Sequence, residues 1–226
     1  MSNQALVRKI LYLKKRVQFF YLERERVERI KYFEKVLKAE GFDRIAGIDE
    51  VGRGALAGPV VAAAVVFDKI DSIFIESLKD SKKIRKAKRE SLFEIIKEKS
   101  SNIGIGVVSP KIIDKINIAQ ATFLAMKRAI MNLNILPDYI LVDAFKIPHI
   151  SIPQKNLIKG EDQSISIAAA SIIAKVYRDR LMLKHHCEYP FYQFNHNVGY
   201  GTKNHLMAIQ KYGICPLHRK TFRGVK

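Results

Sequence analysis

Residues 47–61 read Gly-Ile-Asp-Glu-Val-Gly-Arg-Gly-Ala-Leu-Ala-Gly-Pro-Val-Val, and this stretch constrains the fold more than any other. Two adjacent carboxylates, Asp49 and Glu50, end an apolar run; a Gly-Arg-Gly turn follows, and a second apolar run begins at Val60. Acids are rarely buried in strands unless they are paired, so two together at a strand end belong at the edge of a sheet. Glycines on either side of an arginine let the backbone approach a ligand closely while the guanidinium grips a phosphate. The segment therefore sets metal-type ligands beside a phosphate clamp, a combination that points to phosphoryl chemistry on a polyanion.

The rest of the chain supplies the sheet. Arg44 to Val51 reads as a strand, residues 52–59 as a turn, and Val60 to Phe67 as a strand apolar throughout, hence buried on both faces. Its alanines at 62–64 call for closely packed helices. A helix is expected over Lys86 to Lys99, a third strand over Ile103 to Val108, helical structure from Pro110 with a longer helix over Ala119 to Leu133, and a short strand from Tyr139 that ends at Asp143. Residues 144–160 read as a loop with a short strand near Leu157, and Ser164 to His185 as a long helix. This alternation predicts an α/β fold: a mixed sheet, its first strands antiparallel, flanked by helices.

Two flanking regions read differently. Residues 1–42 form a basic helical extension, either a hairpin or one long helix, with Leu6, Ile10, Leu13, Val17 and Phe20 on one face and Gly41 as its C-cap. The remainder, 43–226, reads as the catalytic domain; its tail, rich in Tyr, Phe, His and Gly, is expected to form a carboxyl-terminal helical segment that binds substrate. The first 22 residues carry five cations and no acid, as a transit peptide would, but the same helical pattern continues beyond them with glutamates added.

Net charge is +18, which favours an acidic partner such as nucleic acid. No apolar run reaches the roughly 18 residues needed to span a bilayer, so no membrane role is expected. The two cysteines, Cys187 and Cys215, form no C-x-x-C pair, which argues against a zinc site or disulfide framework and fits a reducing, cytoplasmic setting.

Asp49, Glu50 and Asp143 each stand where an apolar strand stops. At neighbouring strand ends they would repel one another, and Mg²⁺ or Mn²⁺, one or two ions, would relieve that repulsion through hard oxygen ligands. Asp143 taken alone could equally start a turn. Gly52, Arg53 and Gly54 would then approach the sugar-phosphate backbone closely enough to sense a 2′-hydroxyl. Ser81, Lys82 and Lys83, in an Asp-Ser-Lys-Lys loop, are candidate phosphate contacts, and Tyr200, between Gly199 and Gly201, could stack on a sugar or base or simply pack on the core.

Five motifs in order carry a resemblance to a known family: Gly-Ile-Asp-Glu-Val-Gly-Arg-Gly (47–54), Asp-Ser-Lys-Lys (80–83), Val-Asp (142–143), Ile-Ala-Ala-Ala-Ser-Ile-Ile-Ala-Lys-Val-Tyr-Arg-Asp (167–179) and Gly-Tyr-Gly-Thr (199–202). The chain resembles bacterial ribonuclease HII, of the ribonuclease H-like fold. That resemblance implies an endoribonuclease that cleaves the RNA strand of RNA–DNA hybrids and incises 5′ to single ribonucleotides in duplex DNA. Water activated by a divalent cation would leave 5′-phosphate and 3′-hydroxyl ends, a chemistry suited to ribonucleotide excision repair. It implies Asp49, Glu50 and Asp143 as metal-binding acids, Gly52, Arg53 and Gly54 as the turn that reads the ribose, and Tyr200 as the residue packing on a deoxyribose. A monomer is expected. The family's fourth acid is usually Asp in Lys-Gly-Asp; here the segment reads Lys159-Gly160-Glu161-Asp162, so Glu161 is the aligned acid and Asp162 the neighbour that could replace it. Asp179 reads as structural, paired with an arginine of its own helix. The alternatives are a ribonuclease HIII-like enzyme, which would carry a larger amino-terminal domain, an exonuclease on a related fold, which would space its acids differently, and a non-catalytic nucleic-acid-binding module, which would have lost them.

Overall fold

Every residue of the strand Val60–Val66 is buried, so both faces of the sheet must be covered. A computed structural model describes residues 3–69 and 86–225 and shows how. Ser81, Lys82 and Lys83 lie outside the described residues. Among the described residues the longer elements are α1 (Asn3–Ala39), β1 (Ile45–Val51), β2 (Val60–Val66), α2 (Lys86–Lys99), β3 (Asn102–Val108), α3 (Pro110–Met131), β4 (Tyr139–Asp143), β5 (Gln154–Leu157), α4 (Ile165–Glu188) and α5 (Lys203–Tyr212). Among the described residues, five strands make one mixed sheet in the order β3-β2-β1-β4-β5. β1, β2 and β3 pair antiparallel, whereas β4 runs parallel to β1 and β5 parallel to β4.

Side-chain alternation along β2 builds two half-cores. Val61, Ala63 and Val65 face α4 and α2, packing with Ala169, Ile173, Leu92 and Ile96. Val60, Ala62 and Ala64 face α3, packing with Ala125, Met126 and Ala129. The small alanines on both sides of each interface let the helices sit close to the sheet, and the acids at the end of β1 then fall against a helix rather than in open water.

The amino-terminal segment is a single helix and no hairpin. Residues 7–22 are exposed, but the second half of α1 is docked, with Ile30 and Leu37 buried. Buried Glu34 accepts hydrogen bonds from Ser164 Oγ (2.6 Å) and the Ser166 N–H (3.1 Å) at the start of α4. Burial raises the Glu34 pKa, while the N–H groups of a helix start favour its anion. The helix stops as expected at Gly41, whose φ of +95° suits glycine, and the Phe42 N–H closes back on the Leu37 carbonyl at 3.0 Å.

Three elements sharpen the sequence reading, one of them by a shifted boundary. As expected, a helical stretch from Pro110 precedes a longer helix; the two join in one element with a kink at Asn117, with φ 65° and ψ 168°. The Asn117 side chain caps the second segment, accepting from the Ala119 and Gln120 N–H groups at 2.9 and 3.1 Å. The strand expected near Leu157 starts earlier, at Gln154, and is held by β4 pairing rather than by its own apolar pattern. The helical segment expected in the aromatic tail is α5, capped by Thr202, whose hydroxyl accepts from the His205 N–H at 3.3 Å.

Candidate active site

Strand register places the acids. Ile48 pairs with Val142 across the parallel β1–β4 ladder, so the next residues, Asp49 two short of the end of β1 and Asp143 at the end of β4, fall in one row. In-row side chains of a parallel pair share a face, with the strands about 4.8 Å apart. Asp49 also pairs with Ala63, which sets it on the α4 side, where it shares the cleft wall with Ser171. Glu50 alternates to the other side of the strand, and its Oε1 meets Arg53 Nη1 at 3.2 Å. Because β4 stops at Asp143, all three acids open onto one cleft of about 270 Å³, lined also by Arg89, Ser171 and Lys175. Lys175 and Arg89 are tied to Asp179, at 2.5 and 3.8 Å. Asp179 is thus ion-paired, not with an arginine of its own helix as expected but with a lysine of that helix and an arginine of α2.

The electrostatics of this wall are unfavourable for three anions. Asp49 is only 7% exposed. Burial, then the neighbouring Glu50 and, more weakly, Asp143, push its pKa up to about 8, against the opposing hydrogen bond from Ser171. Burial also raises Glu50, and Arg53 opposes that shift. Asp143 Oδ1 accepts from the Gly160 N–H at 2.7 Å. The chain reverses just after it through Ala144, a non-glycine residue at φ 60°. Hard, anionic oxygen donors in a half-enclosed cleft fit Mg²⁺ or Mn²⁺ in kind. Their oxygens are not yet gathered: among the described residues no three acidic, histidine or cysteine side chains form a ready cation cluster. The reason is local. Glu50 is turned to Arg53 and Asp143 to Gly160, so cation binding would redirect side chains already within reach.

Glu161 sits half-buried in the 3-10 turn Gly160–Asp162, which the Gly160–Asp143 hydrogen bond ties to the cleft; Asp162 is exposed. Neither is among the residues lining the cleft. Gly52 and Gly54 occupy different environments. Gly52 has φ +90°, and a Cβ there would stand 2.2 Å from Arg178 Nε, so the fold itself demands glycine. At Gly54 a Cβ would meet nothing within 4 Å. Arg53 lies between them, its guanidinium 5.4 Å from the Phe145 ring. Tyr200 is half-buried, with the Arg178 guanidinium 5.5 Å from its ring, and its carbonyl is bonded by His205 Nδ1 at 2.9 Å. The sequence reading missed Ser171 and Lys175 as cleft walls and Phe145 beside Arg53. A helix spacing of four from Ser171 to Lys175, starting from a run of small residues, was the available signal.

A model of the family Ribonuclease HII matches residues 46–225, the span that holds every element of this site. The chain belongs to the ribonuclease HII family. Membership makes it a nuclease, a hydrolase of phosphodiester bonds, and removes the ribonuclease HIII alternative. The ribonuclease HII of Caldanaerobacter subterraneus is 52% identical over 204 residues, covering 89% of this chain and 84% of that protein. The ribonuclease HII of Bacillus mycoides is 49% identical over 225 residues, 100% of this chain and 86% of that protein, so the similarity extends through α1. Among solved structures, ribonuclease H2 from Pyrococcus horikoshii aligns with a TM-score of 0.70 at 28% identity, covering 80% of this chain and 95% of that one. Among the described residues, no helix is long and apolar enough to cross a membrane.

Proposed function

We propose that this ribonuclease HII cuts the RNA strand of RNA–DNA hybrids and incises 5′ to single ribonucleotides in duplex DNA, leaving 5′-phosphate and 3′-hydroxyl ends. The observation that carries the reading is the placement of Asp49 and Asp143 in one row at the sheet edge, with the Gly-Arg-Gly turn following directly on the same strand. Asp49, Glu50 and Asp143 would hold one or two Mg²⁺ or Mn²⁺ ions, and Glu161 would assist from the adjoining turn. A bound divalent cation supplies Lewis acidity to the water and to the leaving oxygen.

The chain's own residues account for the rest. Arg53, held between Glu50 and Phe145, grips a phosphate once substrate competes for its guanidinium. Gly54, with open space where a side chain would be, lets the strand bearing the 2′-hydroxyl come against the backbone. Tyr200 stacks on the neighbouring deoxyribose, marking the step from RNA to DNA. Ser171 favours the Asp49 anion from the cleft wall, and Lys175 keeps positive charge there. The net charge of +18 attracts the duplex, and its contribution weakens with salt.

The test is a duplex DNA with one ribonucleotide, incubated with the protein and Mg²⁺ or Mn²⁺, its products mapped at nucleotide resolution. Incision 5′ to the ribonucleotide, stopped by EDTA, is expected. A substrate left intact with either metal, or cut 3′ to the ribonucleotide, contradicts the reading.

A further inference from the structure

Arg178 and Arg219 are the largest side chains with no exposure at all. A buried guanidinium usually faces a carboxylate. Among the described residues neither has one within ion-pair distance; both spend their donors on backbone carbonyls. Arg178 bonds the carbonyls of Pro59 (2.9 Å), Val198 (2.8 Å) and Ala57 (3.1 Å). Arg219 bonds those of Gly58 (3.1 Å from Nε, 2.9 Å from Nη2), Arg53 (2.8 Å) and Gly52 (2.7 Å). The turn between β1 and β2 is therefore wrapped around two buried cations, one of them supplied by the far end of the chain.

This arrangement fixes which way the turn faces. In a planar trans peptide the carbonyl and the following N–H point in opposite directions. Arg219 holds the Gly52 and Arg53 carbonyls inward, so the N–H groups of Arg53 and Gly54 point away from it. Among the described residues neither of these two amides donates to an acceptor. The next amides are occupied: Ala55 N–H bonds the Gly52 carbonyl at 3.4 Å, and Leu56 and Ala57 both bond the Gly199 carbonyl, at 2.8 and 3.1 Å. Two adjacent unpaired donors beside an unhindered glycine form an anion-facing or hydroxyl-facing backbone nest.

We propose that Arg219 is a positioning residue for substrate selection: by holding the Gly52 and Arg53 carbonyls, it aims the Arg53 and Gly54 amides at the ribose-phosphate of the bound strand. The proposal rests on the reading of this turn as the ribose sensor. It also explains why the tail must close on the turn: the Arg219 N–H itself bonds the Leu56 carbonyl at 2.9 Å, and Gly58 N–H bonds the Leu217 carbonyl at 2.8 Å. Lysine could keep the charge but could not span the carbonyls of Gly52, Arg53 and Gly58 with one planar fork.

The experiment compares wild type with Arg219→Lys and Arg219→Ala by competition binding, measuring the affinity ratio for a duplex with one ribonucleotide over the same duplex in all-DNA form. Incision kinetics are measured in parallel, normalised to folded protein. The ratio is expected to fall toward one in both variants, with kcat/KM for incision down by about 100-fold from the misplaced turn. Guanidinium ion at sub-denaturing concentration should restore part of both in Arg219→Ala. An unchanged ratio in folded variants overturns the proposal. In wild type alone, hydrogen exchange gives a second reading: the Arg53 and Gly54 amides should exchange fast in the free protein and become protected by the ribonucleotide duplex but not by all-DNA. Slow exchange in the free protein, or equal protection by both duplexes, also overturns it. A wild type with no preference for the ribonucleotide duplex would instead sink the functional reading beneath it.

Discussion

The acid cleft and the Gly-Arg-Gly turn are adjacent in sequence and held by opposite means. In the cleft, like charges are buried together, and the pKa of Asp49 rises to about 8 because protonation is the relief available to the chain alone. In the turn, two buried guanidiniums meet carbonyls only, and N–H donors and lone pairs are matched. The difference separates two functions. The turn is complete before substrate arrives, so it can discriminate by shape. On the proposed function the acids are completed by a cation, so the chemistry would be gated by metal.

The largest break in this contrast is expected from Asp49→Asn. Incision should fall by more than about 100-fold, beyond what losing a group that merely orients a metal ligand costs, while the thermal midpoint of the metal-free protein holds or rises. Turnover and melting are measured on the same preparation; a stability loss with activity retained would invert the assignment. On the turn side the signs reverse. Arg178→Met orphans three carbonyl partners and should cost about 3 kcal/mol or more by chemical denaturation, at about 1–3 kcal/mol for each group left unpaired.

The two glycines sharpen the comparison inside the turn. Gly52→Ala must accept φ +90° and a contact with Arg178, and should destabilise by about 1–3 kcal/mol. Gly54→Ala should stay within about 0.5 kcal/mol of wild type, yet weaken binding of the ribonucleotide duplex. Equal stability losses at both positions would remove the reason to read Gly54 as a ligand-facing gap.

How much of this was legible in the sequence follows from the range of the forces involved. The acid pair, the strand ends and β2 burial are local patterns, and Asp49, Glu50 and Asp143 could be named from them. Arg178 and Arg219 could not, because a buried arginine looks like any other until its carbonyl partners are brought from residues 52–59 and 198. β5 was misplaced because its pattern, Gln-Lys-Asn-Leu, has little apolar alternation and is specified by β4. α1 was legible as a helix, but its docking through Glu34 depends on Ser164, far along the chain.

pH dependence gives a smaller effect. The carboxyl of Asp49 has an unfolded reference near 3.8 and a folded pKa of about 8, so the folded state favours its protonated form. That contribution to stability is full below about pH 4 and lost as pH rises toward 8. His218 acts in reverse: burial, then the neighbouring His205, lowers its pKa from 6.5 to about 4, so its contribution is full above 6.5 and lost as pH falls to 4. In EDTA, the alkaline-side loss should disappear in Asp49→Asn while the acid-side loss remains. A melting profile unchanged by Asp49→Asn would rule out the buried-acid account. The smallest expected difference is between Glu161→Gln and Asp162→Asn: incision should suffer more in the first, since Glu161 is half-buried on the turn tied to Asp143 and Asp162 is exposed.

The most direct test of a cation-completed cleft beside a preformed turn is a thermal melt of metal-free protein titrated with Mn²⁺ at neutral pH. Wild type should gain stability with metal, by about 2.7 kcal/mol when Mn²⁺ reaches 100 times its dissociation constant. Arg219→Lys should start lower but gain as much, and Asp49→Asn should gain nothing. A rise in Asp49→Asn equal to that of wild type, or no rise in wild type, would contradict the account.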